Sequence, residues 1–387
     1  MTVFPTKTEE KMKKPSLLIL SFSQPDKDPH FYKELNYLKR SFDIVPAGFP
    51  PQFPIEKFIE IRKRPADIPR KLYYGISFLF GCSSPFLNSF SIDFEKLRKQ
   101  KFDLILVNGL YPLPAAFRIA GNKPVFWNAY EYYPEEHGDS FVWRIVFRRN
   151  VNRILRRYVP RLTGMCSVSP SIVRRYHDEF GIDASLVRNV CSAEVLQPVI
   201  PGHHIRLIYH GDANPSRKIE EIIRMMSFLN DRFTLDLILL NHFSYQQKLK
   251  YLAMNDSRIR FLDPVPLKDL PKFLNRYDLG IVLIPPVNYN FETCLPNKFF
   301  ECIQARLAVL AGPSEEMCRL VRRFGVGLTM KKFSAESAAQ ELKSLSPEKI
   351  WKMKLRTENA ARFFCAEREM RRFEHILLKT IEQEHKI

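Results

Sequence analysis

Two short stretches carry side chains of the types that bind a phosphorylated ligand. The first is Leu295-Pro296-Asn297-Lys298-Phe299-Phe300-Glu301. Proline suits the first turn of a helix and cannot continue one, so Asn297 and Lys298 are expected at a helix mouth. Free backbone N–H groups and the positive end of the helix dipole favour an anion there. Lys298 would meet a phosphate, and Glu301, one turn further in, can accept two hydroxyls of a ribose. Taken alone, this stretch fits an ordinary helix start with solvated charges equally well. The second stretch runs from Tyr209-His210-Gly211 to Arg217-Lys218. Gly211 lets a ligand approach the main chain closely, and the Arg217 guanidinium can fork two phosphate oxygens. Cations are mildly unfavourable at a helix start, so an anion explains Arg217 and Lys218 better than solvent exposure does. Two cations aimed at one crevice are what a diphosphate requires.

The surrounding pattern supplies elements to hold them. Apolar runs at 17–22, 42–45, 102–108, 124–127, 164–168 and 186–189 read as strands alternating with helices, a pattern that gives a parallel, doubly wound sheet. Residues 50–71, rich in Pro and basic side chains, read as a loop with one helix. Residues 192–204, with Pro198, Pro201 and Gly202, break the alternation and read as a linker. It then restarts: strands at 205–209, 235–240, 259–262, 279–284 and 308–311, and helices at 217–229, 245–254, 267–277 and from Asn297. The expected organisation is one α/β domain over 1–195, a second over 196–346, and charged helices over 347–387 that pack back toward the first domain. Two such halves place a cleft between them, a usual position for a ligand.

Composition narrows the class. The chain has 387 residues, 45% hydrophobic and 26% charged, which is the composition of a globular protein with room for two cores. Its seven cysteines (Cys82, Cys166, Cys191, Cys294, Cys302, Cys318, Cys365) are scattered, without a C-x-x-C or a Cys/His cluster. They predict buried free thiols in a reducing compartment and no metal site. Lys11, Lys13 and Lys14 precede an apolar run of six residues, too short for a signal peptide, and no run reaches the roughly 18 residues of a membrane span. The expected location is cytoplasmic. The net charge of +18 implies attraction to a polyanion, either nucleic acid or an anionic membrane.

With these residues in place a family resemblance is visible. The segment from Tyr209 through Glu221 resembles the phosphate-binding segment of family 4 glycosyltransferases, retaining enzymes of the GT-B fold. Leu295 through Glu301 resembles their nucleotide-sugar motif. Arg260 to Pro266, Leu270-Pro271, Tyr277 to Gly280 and Gly325-Val326-Gly327 fall in the family's order. The resemblance covers nearly all of the second half. It implies an α/β protein of two Rossmann-like domains facing a cleft. Gly211, Arg217, Lys218, Asn297 and Lys298 would lie around the donor diphosphate and Glu301 at the ribose. The family's earlier glutamate falls on Thr293 here, which leaves the adjacent Glu292 as the candidate for the sugar.

The first half is similar more loosely. Trp127-Asn128-Ala129-Tyr130-Glu131 aligns with a family stretch reading Asp-x-His-Glu, so Glu131 fits while Asn128 and Tyr130 replace polar groups of the cleft. Neither replacement is a general base near neutral pH. Glu131 alone reads equally well as a solvated loop acid. Asp28-Pro29-His30 resembles the loop that faces the acceptor. The resemblance implies a nucleotide sugar as co-substrate, a glycan or lipid-linked acceptor, retention of configuration, and neither cofactor nor metal. Two other readings stay open: a GT-B protein that binds a nucleotide sugar or partner without turnover, and a basic nucleic-acid binder. No nucleic-acid signature supports the last, so nucleic acid is not the expected partner.

Residues 140–177 contain nine arginines (Arg144, Arg148, Arg149, Arg153, Arg156, Arg157, Arg161, Arg174, Arg175). Over 147–158 a helical wheel places Phe147, Val151, Ile154, Leu155 and Tyr158 on one side, and five arginines with Asn150 and Asn152 on the other. This fits a core-packed helix with a solvated basic face. It fits equally a peripheral surface on the inner face of the cytoplasmic membrane, with Phe141, Trp143, Phe78 and Phe80 at the interface.

Overall fold

A computed structural model describes residues 14–64 and 89–384. The first half contains β1 (Ser16–Ser21), β2 (Asp43–Gly48), β3 (Ile59–Glu60), β4 (Arg62–Lys63), β5 (Phe90–Ser91), β6 (Leu104–Asn108), β7 (Val125–Ala129), β8 (Gly164–Ser167) and β9 (Ala184–Leu186). Seven of these form a parallel sheet in the order β3-β2-β1-β6-β7-β8-β9, while β4 and β5 pair with each other in antiparallel fashion. The second half contains β10 (Ile205–Asp212), β11 (Phe233–Leu240), β12 (Ile259–Leu262), β13 (Leu279–Val282), β14 (Ala308–Ala311) and β15 (Gly327–Thr329). They form a second parallel sheet in the order β12-β11-β10-β13-β14-β15. Strands such as Leu104–Asn108 and Val125–Ala129 are buried along their whole length, because helices cover both faces of each sheet.

The last two helices join the two halves. Pro347–Phe363 packs on the helix Asn297–Gln304 of the second half, and Ala366–Glu384 crosses to the helix Pro29–Leu38 of the first. Met370, Phe373, Leu377 and Ile381 of the crossing helix bury themselves against Leu17, Ile19, Phe31 and Phe126. Each such side chain contributes about 1.5–3 kcal/mol. Gln304 fixes the turn: its amide donates to the carbonyls of Ala361 and Phe364, at 2.8 Å each.

Some elements differ from the sequence expectation for identifiable reasons. The helix expected at 217–229 runs Glu220–Met226, because Arg217 closes a 3₁₀ turn and Lys218 takes a left-handed backbone (φ +48°). The helix expected at 267–277 is confined to Leu270–Leu274. Within 50–71, the described residues contain β3 and β4 rather than a helix; the remainder, with Phe78 and Phe80, lies outside the described residues. Asn150 is buried at 2% exposure instead of sharing the arginine face, and Trp143 is buried at 7% instead of facing solvent. Residues Trp143–Phe147 form a wide π-type turn before the helix Arg148–Tyr158. Within it Trp143 packs on Phe147 and His137, with ring centroids 5.4 and 4.8 Å apart, which accounts for its burial.

Candidate functional site

Parallel strands deliver their carboxyl ends to the cleft, and the loops that follow carry the candidate residues. On the second sheet β10 ends in Tyr209-His210-Gly211-Asp212. Gly211 has φ +128°, and a Cβ there would stand 3.2 Å from the Lys298 ammonium nitrogen. Lys298 comes from the first turn of the helix Asn297–Gln304, which Pro296 precedes. Gly280 of β13 lets this helix approach the sheet closely, because a side chain there would collide with Cys302.

Neither principal cation of the pocket has a carboxylate partner among the described residues. The Lys298 ammonium lies 4.0 Å from the centre of the Tyr209 ring, and the Arg217 guanidinium lies 4.4 Å from that of Phe291. Aromatic faces hold the cations in place and leave their hydrogen-bond donors free. Beside them the His210 imidazole is 2.8 Å from a Glu301 carboxylate oxygen. Asn297 is the first residue of the Lys298 helix and half-buried. Lys218 is exposed on the left-handed turn. Glu292 is exposed at the end of the short helix Tyr289–Glu292, whereas the adjacent Thr293 is buried and donates to the Tyr289 carbonyl at 2.8 Å.

On the first sheet, Asp28 caps the helix Pro29–Leu38. One carboxylate oxygen accepts from the N–H groups of His30 and Phe31, and the other from the Ser23 hydroxyl at 2.6 Å. The His30 ring stacks on Tyr130 with centroids 3.8 Å apart. Burial and the neighbouring Lys33 hold the His30 imidazole well below its usual pKa. The Tyr130 hydroxyl is buried and has no hydrogen-bond partner among the described residues. Asn128 is turned inward: its amide nitrogen donates to Glu34 at 2.8 Å and its oxygen accepts the Cys166 thiol at 3.3 Å.

Sequence reasoning passed over several members of this cluster. Glu34, 2% exposed, accepts from the amides of both Asn108 and Asn128, paired neighbours at the ends of β6 and β7. Burial pushes its carboxyl up to about 8, and pushes the Lys33 ammonium down to about 8. Lys33 donates to Asn189 and to the Val190 carbonyl (2.7 Å), and Glu301 of the second half is among the charges that act on it. Glu131 is held well above the ordinary carboxylate range by burial first and the Glu136 carboxylate second. It is reached from the second half by Asn290, whose amide nitrogen lies 3.3 Å from its carboxylate. Asn108, at the end of the clearest strand, and His210, next to Gly211, carried some sequence signal; Lys33, Glu34 and Asn290 carried none.

Within the arginine-rich segment, residues 141–161 form one helical rod. Phe141, Val142 and Ile145 at its start are 67%, 58% and 60% exposed. Beyond them Arg144, Arg148, Arg149, Asn152, Arg153 and Arg156 line a shallow groove of about 400 Å³. Arg148 pairs with Glu135 at 2.9 Å, which ties the rod to the loop that carries Glu131. No group of three or more potential metal ligands occurs among the described residues, and none of their helices is long and apolar enough to cross a membrane.

No family model and no curated protein matches this sequence. Solved structures do match, over nearly the whole chain. Sucrose-phosphate synthase from Thermosynechococcus elongatus superposes with a TM-score of 0.72 at 14% identity, covering 96% of this chain and 100% of that one. The fold is therefore GT-B. Anabaena Alr3699/HepE, solved in complex with UDP and glucose, gives a TM-score of 0.67 at 12% identity, covering 94% and 99%. A glycosyltransferase from Rickettsia africae gives 0.66 at 11%, covering 97% and 99%. In this GT-B chain, the carboxyl ends of the two sheets and the loops after them are the walls of the cleft.

Proposed function

We propose that this GT-B protein is a glycosyltransferase that moves a sugar from a nucleotide-sugar donor to a glycan or lipid-linked acceptor. One observation carries the reading. Arg217 stands in the turn after β10 and Lys298 at the mouth of the helix after β13, each braced on an aromatic ring and lacking a carboxylate partner among the described residues. Such a pair suits a diphosphate, with Glu301 and His210 at the ribose. The reaction we favour retains configuration and needs no metal. The acceptor hydroxyl bonds to the anomeric carbon as the carbon–phosphate oxygen bond breaks. The electron pair leaves on the diphosphate, where the two cations and the helix mouth stabilise it, and the acceptor's proton passes to that departing oxygen. The acceptor enters from the side of Asp28, His30, Tyr130 and Glu131.

The same reading makes the chain cytoplasmic and peripheral on an anionic membrane, because the rod with Phe141, Val142 and Ile145 joins apolar exposure to the arginine groove. The deciding experiment is a thermal-shift panel of UDP-, GDP-, ADP- and dTDP-sugars on the parent protein, Lys298→Ala and Arg217→Ala. The expected result is one nucleotide that raises the parent's melting temperature and not that of the variants. A flat panel rejects the donor pocket.

A second reading is binding without turnover. It is favoured by Asn128, whose amide is engaged inside the protein at both ends. Hydrolysis of, or transfer from, the donor that the panel selects rules it out.

A further inference from the structure

One turn of chain in the loop between β13 and the Lys298 helix serves both walls of the cleft. The Asn288 side chain accepts from the Phe291 N–H at 2.9 Å and so fixes Asn290 and Phe291 relative to each other. Phe291 faces inward to its own domain, where its ring supports Arg217. Asn290, 8% exposed, reaches the opposite wall. Its oxygen accepts the Tyr132 N–H at 2.8 Å, and its nitrogen donates to the Tyr132 carbonyl at 3.1 Å as well as approaching Glu131. One side chain thus satisfies both backbone groups of a residue more than 150 positions away. The carbonyl also accepts from the Glu135 N–H at 3.0 Å, so the group that depends on Asn290 is the Tyr132 N–H, and burying it unpaired would cost about 1–3 kcal/mol. Neither half needs this contact to complete its own sheet.

We propose that Asn290 is a positioning residue that couples occupation of the diphosphate site to the placement of Glu131. The proposal rests on the donor-pocket reading above. A diphosphate that engages Arg217 holds the ring beneath it, and with the ring the turn from Asn288 to Phe291. Asn290 then fixes Tyr132 and the Glu131 carboxylate at the opposite wall. Tyr289 supplies a control within the same contact: its hydroxyl donates to the Ser171 carbonyl at 2.9 Å and does not reach Glu131.

The test is hydrogen exchange on the full chain with and without UDP, GDP, ADP or dTDP, for the parent, Asn290→Ala, Asn290→Asp and Tyr289→Phe. Asn290→Asp keeps the acceptor for the Tyr132 N–H but loses the amide donor, so it serves if the alanine variant fails to fold. The expected result is slower exchange over 205–220 and 285–300 in every protein when the matching nucleotide is present. Over 128–136, slowing is expected in the parent and Tyr289→Phe and lost in both Asn290 variants. Nucleotide affinity should stay within about threefold while any donor turnover falls through kcat. Slowing over 128–136 in the Asn290 variants, or its absence in a parent protected at 205–220, overturns the coupling alone. Absence of protection at 205–220 with all four nucleotides overturns the donor pocket, and the coupling with it.

Discussion

The imidazole of His210 and the carboxylate of Glu301 stand 2.8 Å apart, one from the end of β10 and the other from the first turns of the helix that Pro296 opens. The pair joins two elements that the diphosphate would also bridge. His210 engages one carboxylate oxygen, Oε2, and so restrains the orientation of the Glu301 side chain.

His210 therefore matters for affinity through Glu301. His210→Ala and Glu301→Gln should each weaken nucleoside diphosphate binding by about tenfold, near the value of one hydrogen bond to a charged group. His210→Asn, which keeps a donor in reach, should lose less. Isothermal titration with the nucleotide from the thermal-shift panel checks the order. Equal loss in His210→Ala and His210→Asn would reject an orienting role.

The cations should behave in the opposite way on stability. Lys298 and Arg217 form no ion pair among the described residues, so removing either takes no salt bridge from the unliganded protein. Lys298→Ala should leave the unliganded melting temperature unchanged within about two degrees. Its affinity for a nucleoside diphosphate should fall by about 10–100-fold, and for the bare nucleoside hardly at all. Calorimetry with both ligands separates the two. A fall in melting temperature with unchanged diphosphate affinity would make Lys298 structural.

Much of this architecture was legible in the sequence because its signals are local. Apolar runs such as Leu104–Asn108 announce buried strands, and the Pro-Asn-Lys order announces a helix mouth within four residues. Glu34 was illegible for the opposite reason. It sits in an amphipathic helix where an acid reads as surface, and its partners Asn108 and Asn128 lie 74 and 94 residues away. The same separation hides Asn290 and Glu131, 159 residues apart. Trp143 was misplaced because an aromatic beside a run of arginines reads as interfacial, whereas its ring packs on Phe147 and on His137 of the preceding loop.

The arginine rod makes a measurable membrane prediction. Each cation near an anionic bilayer adds roughly 1 kcal/mol, so Arg149→Ala with Arg153→Ala should cut partitioning onto phosphatidylglycerol vesicles by about thirtyfold. The parent should detach as salt rises. Ile145→Ser should weaken binding through lost apolar burial, with the salt dependence intact. Cosedimentation measures all three. Tighter binding to duplex DNA than to the vesicles would assign the positive face to nucleic acid instead.

Glu34 predicts how stability depends on pH. Its folded pKa, about 8, lies above the unfolded value of 4.5. Burial therefore favours the protonated form, and the unfolded chain releases this proton more readily than the folded one. The stability linked to this group is complete below about pH 4.5 and is lost progressively as pH rises through 8. The full span is roughly 5 kcal/mol. Lys33 does not cancel it, because its depressed pKa acts in a separate window, between about 8 and 10.5. Glu34→Gln removes the titration while keeping the side chain's shape. The Asn108 oxygen has no partner among the described residues, so that amide can rotate to accept from the glutamine. The variant should match the parent near pH 5 and exceed its stability by about 2–4 kcal/mol at pH 8, as read by urea unfolding at both values. A variant less stable than the parent at both would show that the carboxylate, ionised and held by two amides, is the form the fold requires.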